Sequence, residues 1–324
     1  MTWTCVLALT LTLSVILPAN ADSDLRKGCG VRFASVSEGA EILGSKDEFI
    51  QRLSAFDRAA RMKTDRSVDE NEFVKFVQEN VLPWNEAERA KIEAAIASIR
   101  PALNALPLSL PEFVTFVKTT GAEEGHAFYT RDTAIMMPEK ETDEADAGLL
   151  KKTIAHELFH ILTRGNPALR EKLYQSIGFS KCDEVDFPPE LKSRKITNPD
   201  APQNDHAIRV RIREEEVRAV PILFSNAAQY DVNRGGEFFG YLQLSFLSVP
   251  RTSATQPILA TPEEVSGFFE QIGRNTNYVI HPEEILADNF ALLILDERNL
   301  PSPEIIEKMR LILGQKQVPV SQGH

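Results

Sequence analysis

Two histidines and a glutamate stand close enough in the sequence to share one chemical task. Residues 156–160 read His-Glu-Leu-Phe-His, so His156 and His160 are four positions apart. In a helix, side chains at that spacing lie on one face about one turn apart, so both imidazoles can bind one metal ion. Glu157 then points to the side, where it can act as general base toward an activated water. The alternative is two core histidines satisfied by the backbone, because the pattern arises by chance in roughly one chain of this size in a hundred.

A second acidic motif lies far downstream, at residues 281–290. Pro282 begins a predicted helix, on which Glu284 and Asp288 fall one turn apart among apolar neighbours. Like charges at that spacing repel unless a cation lies beside them. We therefore expect Glu284 to be the third metal ligand and Asp288 to accept a hydrogen bond from a ligand imidazole. The alternative is a solvated acidic helix start favoured by the macrodipole, which suits Glu283 well and Asp288 poorly.

The two motifs together resemble the gluzincin metallopeptidases, and especially the neprilysin-type branch with its Glu-x-Ile-Ala-Asp-Asn segment. The resemblance is limited to short motifs, and Phe290-Ala291 stands where the family has Gly-Gly. It implies a zinc cofactor, with Glu284 completing the site and Asp288 orienting His156. Motif agreement of this kind predicts a reaction class, and its structural context tests it.

A third segment is similar to the family's Asn-Ala-Phe-Tyr edge strand, which pairs with the substrate backbone. Residues 126–129 read His-Ala-Phe-Tyr, so His126 replaces the family's Asn. The resemblance implies that His126 and Ala127 contact a peptide substrate. This segment is also what favours peptide bonds over other amides or esters.

The family's transition-state histidine has no counterpart here. No Asp-x-His motif follows Glu284, and the only later histidine is the last residue of the chain. Tyr278 and His281 lie just before the third-ligand helix, and either can donate a hydrogen bond to a developing oxyanion; Tyr230 and Tyr241 are weaker candidates. Tyr278 has the alternative of a packed core aromatic. His281 has the alternatives of a helix cap or the third ligand.

The residues around these motifs predict the elements that position them. A helix from Ala147 to Leu162 carries the histidines and stops at Gly165. Residues 127–138 are typical of a short strand pair, and residues 183–206 of a long surface loop. Helical apolar spacing or an opening proline predicts the other helices, at 46–63, 69–82, 84–99, 111–119, 262–272, 282–295 and 303–313. Further strands are predicted at 217–224 and 238–249.

These elements predict an α+β fold. We expect a zincin-like catalytic domain over residues 122–324, preceded by a helical N-terminal region over residues 22–121. The separation between the second histidine and Glu284 exceeds that of the family's usual zinc domain. It implies a long insertion at about residues 165–280.

Composition and the first residues limit the partners and the location. The net charge is −11, so no basic field exists to attract nucleic acid. Residues 1–21 are typical of an export signal cleaved after Ala21, and the 13 uncharged residues from Cys5 to Leu17 are too few to span about 30 Å of hydrocarbon. We therefore expect a secreted or periplasmic protein without stable membrane insertion. Cys29 and Cys182 then remain, as one disulfide or as two free thiols.

The sequence thus predicts a secreted zinc metallopeptidase acting on peptide or protein substrates. One alternative is a non-catalytic zinc-binding protein whose structural site has four protein ligands, with His281 as the fourth. Another is a zinc amidase or esterase acting on a non-peptide substrate.

Overall fold

The fold is described by a computed structural model for residues 24–250 and 256–315. The predicted export signal at residues 1–21 lies outside the described residues. The strands are β1 (Asp24–Arg26), β2 (Cys29–Phe33), β3 (Phe113–Thr119), β4 (Tyr129–Arg131), β5 (Ala134–Pro138), β6 (Phe179–Lys181), β7 (His206–Ile212), β8 (Glu215–Ser225), β9 (Leu242–Ser248), β10 (Leu259–Ala260) and β11 (Val265–Ser266). The helices are α1 (Val36–Leu43), α2 (Glu48–Arg52), α3 (Ala55–Arg61), α4 (Glu70–Glu79), α5 (Glu86–Ala105), α6 (Glu139–Glu144), α7 (Ala147–Arg164), α8 (Pro167–Ser176), α9 (Pro189–Lys192), α10 (Phe269–Ile272), α11 (Pro282–Ile294) and α12 (Pro303–Leu313).

The first sheet has the strand order β1-β2-β3-β5-β4. β2, β3 and β5 run parallel, whereas β4 pairs antiparallel with β5 and ends the sheet. Successive residues of the inner strands enter different cores. Phe116 and Ile135 pack in the cluster that contains α5 and α7, while Val117 and Met136 pack against α1 and α4. The sheet is therefore covered by helices on both faces, and β4 is its edge.

The helix predicted at residues 111–119 is wrong, because this segment is strand β3. A strand covered on both faces carries a run of apolar residues rather than a clean alternation, and such a run fits helical spacing as well. The helix predicted at 46–63 is divided into α2 and α3, since Ser54 caps a new helix start. Residues 24–121 thus contribute strands β1 to β3 as well as helices.

The helix that carries the two histidines agrees with the sequence. α7 starts where the Asp146 side chain accepts a hydrogen bond from the backbone N–H of Leu149 at 2.8 Å, and it ends at Gly165. Its apolar face enters the main core, where Ile154 and Leu158 are buried with α5 residues such as Ile96. The helix predicted from Ala147 to Leu162 is therefore confirmed as a buried helix beside the first sheet.

Helix α11 packs directly against α7. Pro282 occupies its first turn, and the His281 side chain accepts a hydrogen bond from the backbone N–H of Glu283. Its side chains are buried on almost every face, including Ile285 and Phe290. This packing brings the second acidic motif beside the histidines.

A second sheet, antiparallel throughout, is formed by strands that lie between α7 and α11 in the sequence. Its strand order is β10-β9-β8-β7-β11, with β6 also paired to β7. The strand predicted at 238–249 begins with a short 3-10 turn, and most of the helix predicted at 262–272 is wrong, since only α10 is α-helical there. The described residues thus form a mixture of helices and sheets, which confirms the α+β class at this coarse level.

No helix in the described ranges is both long and apolar enough to cross a membrane. Cys29 is buried, Cys182 is partly exposed, and both carry free thiols, so they do not form a disulfide.

Candidate metal centre

The three predicted metal ligands meet at one point between α7 and α11. The rings of His156 and His160 are 4.9 Å apart between centroids. One carboxylate oxygen of Glu284, Oε2, lies 3.1 Å from Nε2 of His156 and 3.6 Å from Nε2 of His160. Both ring nitrogens therefore face the same oxygen. Such a convergence from distant parts of the chain is the arrangement that a shared cation requires.

Each imidazole is held from behind by a carboxylate of α11. Nδ1 of His156 donates to Oδ1 of Asp288 at 3.0 Å, as the sequence predicts, and Nδ1 of His160 donates to Oε1 of Glu283 at 3.1 Å. A proton fixed at Nδ1 leaves the Nε2 lone pair free for a metal. The two carboxylates therefore set both the orientation and the useful tautomer of the rings.

Glu283 is not the solvated residue that the sequence indicates. It is 2% exposed and accepts hydrogen bonds from the hydroxyls of Thr163 and Tyr174 as well as from His160. Its adjacency to Glu284 conceals this role in the sequence, because an acidic pair at a helix start is common on surfaces. α11 thus supplies one carboxylate for each histidine and a third that lies between them.

Glu157 is buried beside the histidines, and its carboxylate is incompletely paired. The residue is 3% exposed, and its Oε2 has no hydrogen-bond partner among the described residues. One of its carboxylate oxygens lies within 4.8 Å of ligand atoms of both His156 and His160. Burial raises the pKa of Glu157 to about 8, and the nearby Asp200 carboxylate adds to the shift. This group is therefore placed to exchange a proton near the convergence point.

The residues present fit a bound cation. Besides Oε2 of Glu157, the buried Nε2 of His160 accepts or donates no hydrogen bond within residues 24–250 and 256–315, so two polar atoms around the same point lack partners there. Burial opposes charge on His160, but the carboxylates of Asp200 and Glu284 outweigh it and raise its pKa to about 9. Burial likewise raises the pKa of Glu284, but the two histidines lower it to about 2. The surroundings thus favour positive charge here, which either protons or a divalent cation can supply.

Asp200 and Asn198 also reach this centre, and neither was expected from the sequence. A carboxylate oxygen of Asp200 lies within 4.8 Å of ligand atoms of His160 and Glu284. Nδ2 of Asn198 donates to Oε1 of Glu284 at 2.6 Å. Both belong to the segment predicted as a long surface loop. Its Pro, Asp and Asn content indicates a loop, but nothing in its local pattern shows that the loop turns inward.

Tyr278 and Ala127 lie on the accessible side of the centre. The Tyr278 ring is 6.3 Å from the His156 ring, and the residue is 43% exposed. Tyr278, Ala127 and Asp200 line a small cavity of about 40 Å³. The structure therefore brings Tyr278 beside His156, where it is not a packed core aromatic, while Ala127 shares a cavity with Tyr278 and Asp200.

His281 and His126 make other contacts. Nδ1 of His281 accepts the hydrogen bond that caps α11, its ring is 6.0 Å from that of Tyr174, and burial lowers its pKa to about 4. This is the helix cap that the sequence left open. His126 adopts a φ of +67° and lies 3.5 Å from Glu141 and 3.8 Å from Glu237.

The two weaker oxyanion candidates lie in a separate hydrophobic cluster. The hydroxyl of Tyr230 donates to the carbonyl of Gly236 at 2.9 Å, and that of Tyr241 donates to the carbonyl of Asp231 at 3.2 Å. Both rings are buried. These hydroxyls are bound within their own loop.

Comparisons with known proteins found no relative of this chain. The chain matches no protein-family model, no curated protein and no solved structure. Functional inference therefore depends on the geometry of the centre itself.

Proposed function

We propose that this chain is a secreted, zinc-dependent peptidase with a zincin-like catalytic core, in which His156, His160 and Glu284 hold the metal. The observation that carries the proposal is the position of Oε2 of Glu284, 3.1 Å and 3.6 Å from the two Nε2 atoms, with an unpartnered Glu157 oxygen nearby. Two histidines and one carboxylate are a donor set that catalytic zinc uses. A chance pair of core histidines would lack this convergence of ligands, base and positioning carboxylates.

Bound zinc would lower the pKa of a water and polarise the substrate carbonyl. Glu157 is the general base that removes the proton of the attacking water and delivers it to the leaving amine. Its burial among carboxylates raises its pKa to about 8, which suits a group that must both accept and release a proton near neutral pH. Asp288 and Glu283 keep the two imidazoles in place throughout.

The accessible side of the centre supports a peptide as substrate. β4 ends its sheet, and Ala127 lies just before that strand beside the small cavity. An extended peptide can add to a strand edge through backbone hydrogen bonds, which accept many side chains. Tyr278, which borders the same cavity, is the donor that we assign to the developing oxyanion. His281 is less suited, since its Nδ1 is occupied by the helix cap.

The test compares the wild-type full chain with Glu157→Gln on a diverse peptide mixture, with and without a metal chelator. We expect both proteins to bind one zinc ion, and the variant to lose at least about 100-fold in cleavage rate, as removal of a general base does. Glu79→Gln is the matched control, because Glu79 lies on α4 with its side chain 65% exposed. A fully active Glu157→Gln protein, or cleavage that resists the chelator, contradicts the proposal.

One observation favours a second candidate, a non-catalytic protein with a structural zinc site. Asp200 offers a fourth protein oxygen near His160 and Glu284, and four protein ligands are typical of structural sites. The sequence analysis expects His281 as the fourth ligand of such a site, but in the structure Nδ1 of His281 accepts the hydrogen bond that caps α11. Zinc binding without any chelator-sensitive cleavage, in the wild type and in Asp200 variants alike, would favour this candidate.

A further inference from the structure

Asp200 contacts two parts of the proposed active site at once. Its Oδ1 accepts hydrogen bonds from the backbone N–H and the hydroxyl of Thr130, both at 2.7 Å. An oxygen of the same carboxylate lies within 4.8 Å of ligand atoms of His160 and Glu284. Thr130 is the middle residue of β4, whose other side pairs with β5. Asp200 therefore joins the free edge of the sheet to the metal centre.

The neighbours of Asp200 fasten this segment in place. Asn198 donates to Oε1 of Glu284 at 2.6 Å, and its own Oδ1 accepts from the backbone N–H of Asp200 at 3.0 Å. Arg164, in the last turn of α7, donates to the carbonyl of Asp200 at 3.3 Å and to the hydroxyl of Thr130 at 3.0 Å. The segment is thus tied to α7, α11 and β4, the three elements that form the proposed site.

The segment 198–200 also lies between two cavities near the centre. Pro199 and Asp200 line both a cavity of about 440 Å³, which His160 borders, and the cavity of about 40 Å³, which Tyr278 borders. A peptide that runs along β4 toward the centre must occupy the position that these two residues hold. The segment therefore stands between the larger cavity and the proposed oxyanion donor.

From these contacts we propose that Asp200 is a fourth protein ligand to the metal, and that the segment 198–200 keeps the site latent until it is displaced. The inference rests on the proposed zinc site. Four protein ligands leave no position for water, whereas three leave one open. The same carboxylate occupies the N–H of Thr130, which an added peptide strand would need. Chemistry then belongs to the fraction of molecules in which the segment has moved away.

Charge supports a ligand role over a purely structural one. Two neutral imidazoles with the carboxylates of Glu284 and Asp200 would give a divalent cation two negative ligands, and a buried charge is stable only when it is paired. The contacts with Thr130 need only one acceptor oxygen, which an asparagine would also provide. The negative charge, which those contacts do not require, is what a metal would use.

The experiment uses the full chain with cobalt in place of zinc and azide as the probe. Azide that binds an open metal position changes the visible absorption of cobalt, and this readout needs no substrate. We expect wild-type protein to respond at an azide concentration at least about tenfold higher than Asp200→Ala, which corresponds to about 1.4 kcal/mol of competition by the native ligand. Asp186→Asn, in the same inserted region with its side chain 96% exposed, is the matched control and should behave as wild type.

A second variant protects the test against misfolding. Asp200→Asn retains an oxygen for Thr130, so the fold should be preserved while the charge is lost, and circular dichroism checks both variants. Equal azide responses in wild type and in both Asp200 variants overturn the fourth-ligand inference but leave the zinc site intact. Failure of the wild type to bind cobalt, or unchanged cobalt binding in His156→Ala, instead overturns the proposed function.

Discussion

The hydrogen bond between Asp288 and His156 yields a prediction whose size follows from the geometry. Oδ1 of Asp288 accepts from Nδ1 of His156 at 3.0 Å, and Oδ2 accepts from the hydroxyl of Thr276. Burial raises the pKa of Asp288, but its hydrogen bonds with His156 and Thr276 reverse the shift, so the carboxylate stays charged. In Asp288→Asn the ring loses a charged acceptor, while the side chain keeps its shape.

We expect this substitution to weaken zinc binding by 10- to 100-fold, the usual range for the residue behind a ligating histidine. That range equals about 1.4 to 2.7 kcal/mol. Competition with a chromophoric chelator measures the affinity, and the shift of the cobalt absorption bands reports on the ligand field, which a purely structural defect would leave unchanged. Metal-free thermal unfolding of the two proteins checks that the fold is retained.

The matched control is Asp296→Asn, just beyond α11, where the side chain is 64% exposed. Like Asp288→Asn, this substitution removes one carboxylate charge close to α11, but it does so at a residue for which the structure shows no contact with the two ligand histidines. The reasoning is refuted if Asp288→Asn binds zinc within about twofold of wild type, because Asp288 would then contribute nothing to the position of His156.

The remaining predictions concern groups away from the ligands. Burial lowers the pKa of His281 to about 4, so the folded protein stays unprotonated there while the unfolded chain takes up a proton as pH falls below 6.5. Stability should therefore fall by roughly 2 to 3 kcal/mol between pH 8 and pH 4.5. Urea unfolding of His281→Asn, which keeps an acceptor for the N–H of Glu283, should lack that part of the loss. Equal pH slopes in the two proteins would contradict this account. Burial raises the pKa of Cys29 to about 11 and also raises the pKa of Cys182, which is more exposed. In a Cys5→Ser chain, a thiol reagent at pH 8 should therefore label Cys182 first and Cys29 only after denaturation. Absence of any thiol in the denatured protein would show a disulfide instead.

The sequence predicted the two helices that form the centre because their signals are local. α7 carries helical apolar spacing, a capping Asp146 and a terminating Gly165, and α11 opens with Pro282. On such helices the four-residue spacing fixes which side chains share a face, so Glu284 and Asp288 could be placed on one face of α11, while the pairing of Asp288 with His156 was implied by the family resemblance. These features depend on residues within one or two turns of each other.

The parts that were missed depend on distant contacts. β3 was predicted as a helix because its burial on both faces is decided by helices elsewhere in the chain. Glu283 was expected at the surface, yet Thr163 and Tyr174 bury it from α7 and α8. Asp200 lies in a segment without periodicity, and its place at the centre is set by Thr130 on β4. No local pattern contains that information.

The dual contact of Asp200 makes substrate entry and metal opening a single event in the proposed mechanism. A peptide strand that pairs with β4 competes for the N–H of Thr130, which Asp200 now occupies. Once that hydrogen bond is lost, the carboxylate keeps only the Thr130 hydroxyl of its two contacts with β4. Binding free energy along the strand edge therefore helps to free the metal position, whereas a small ligand that cannot pair with β4 must displace Asp200 without that contribution.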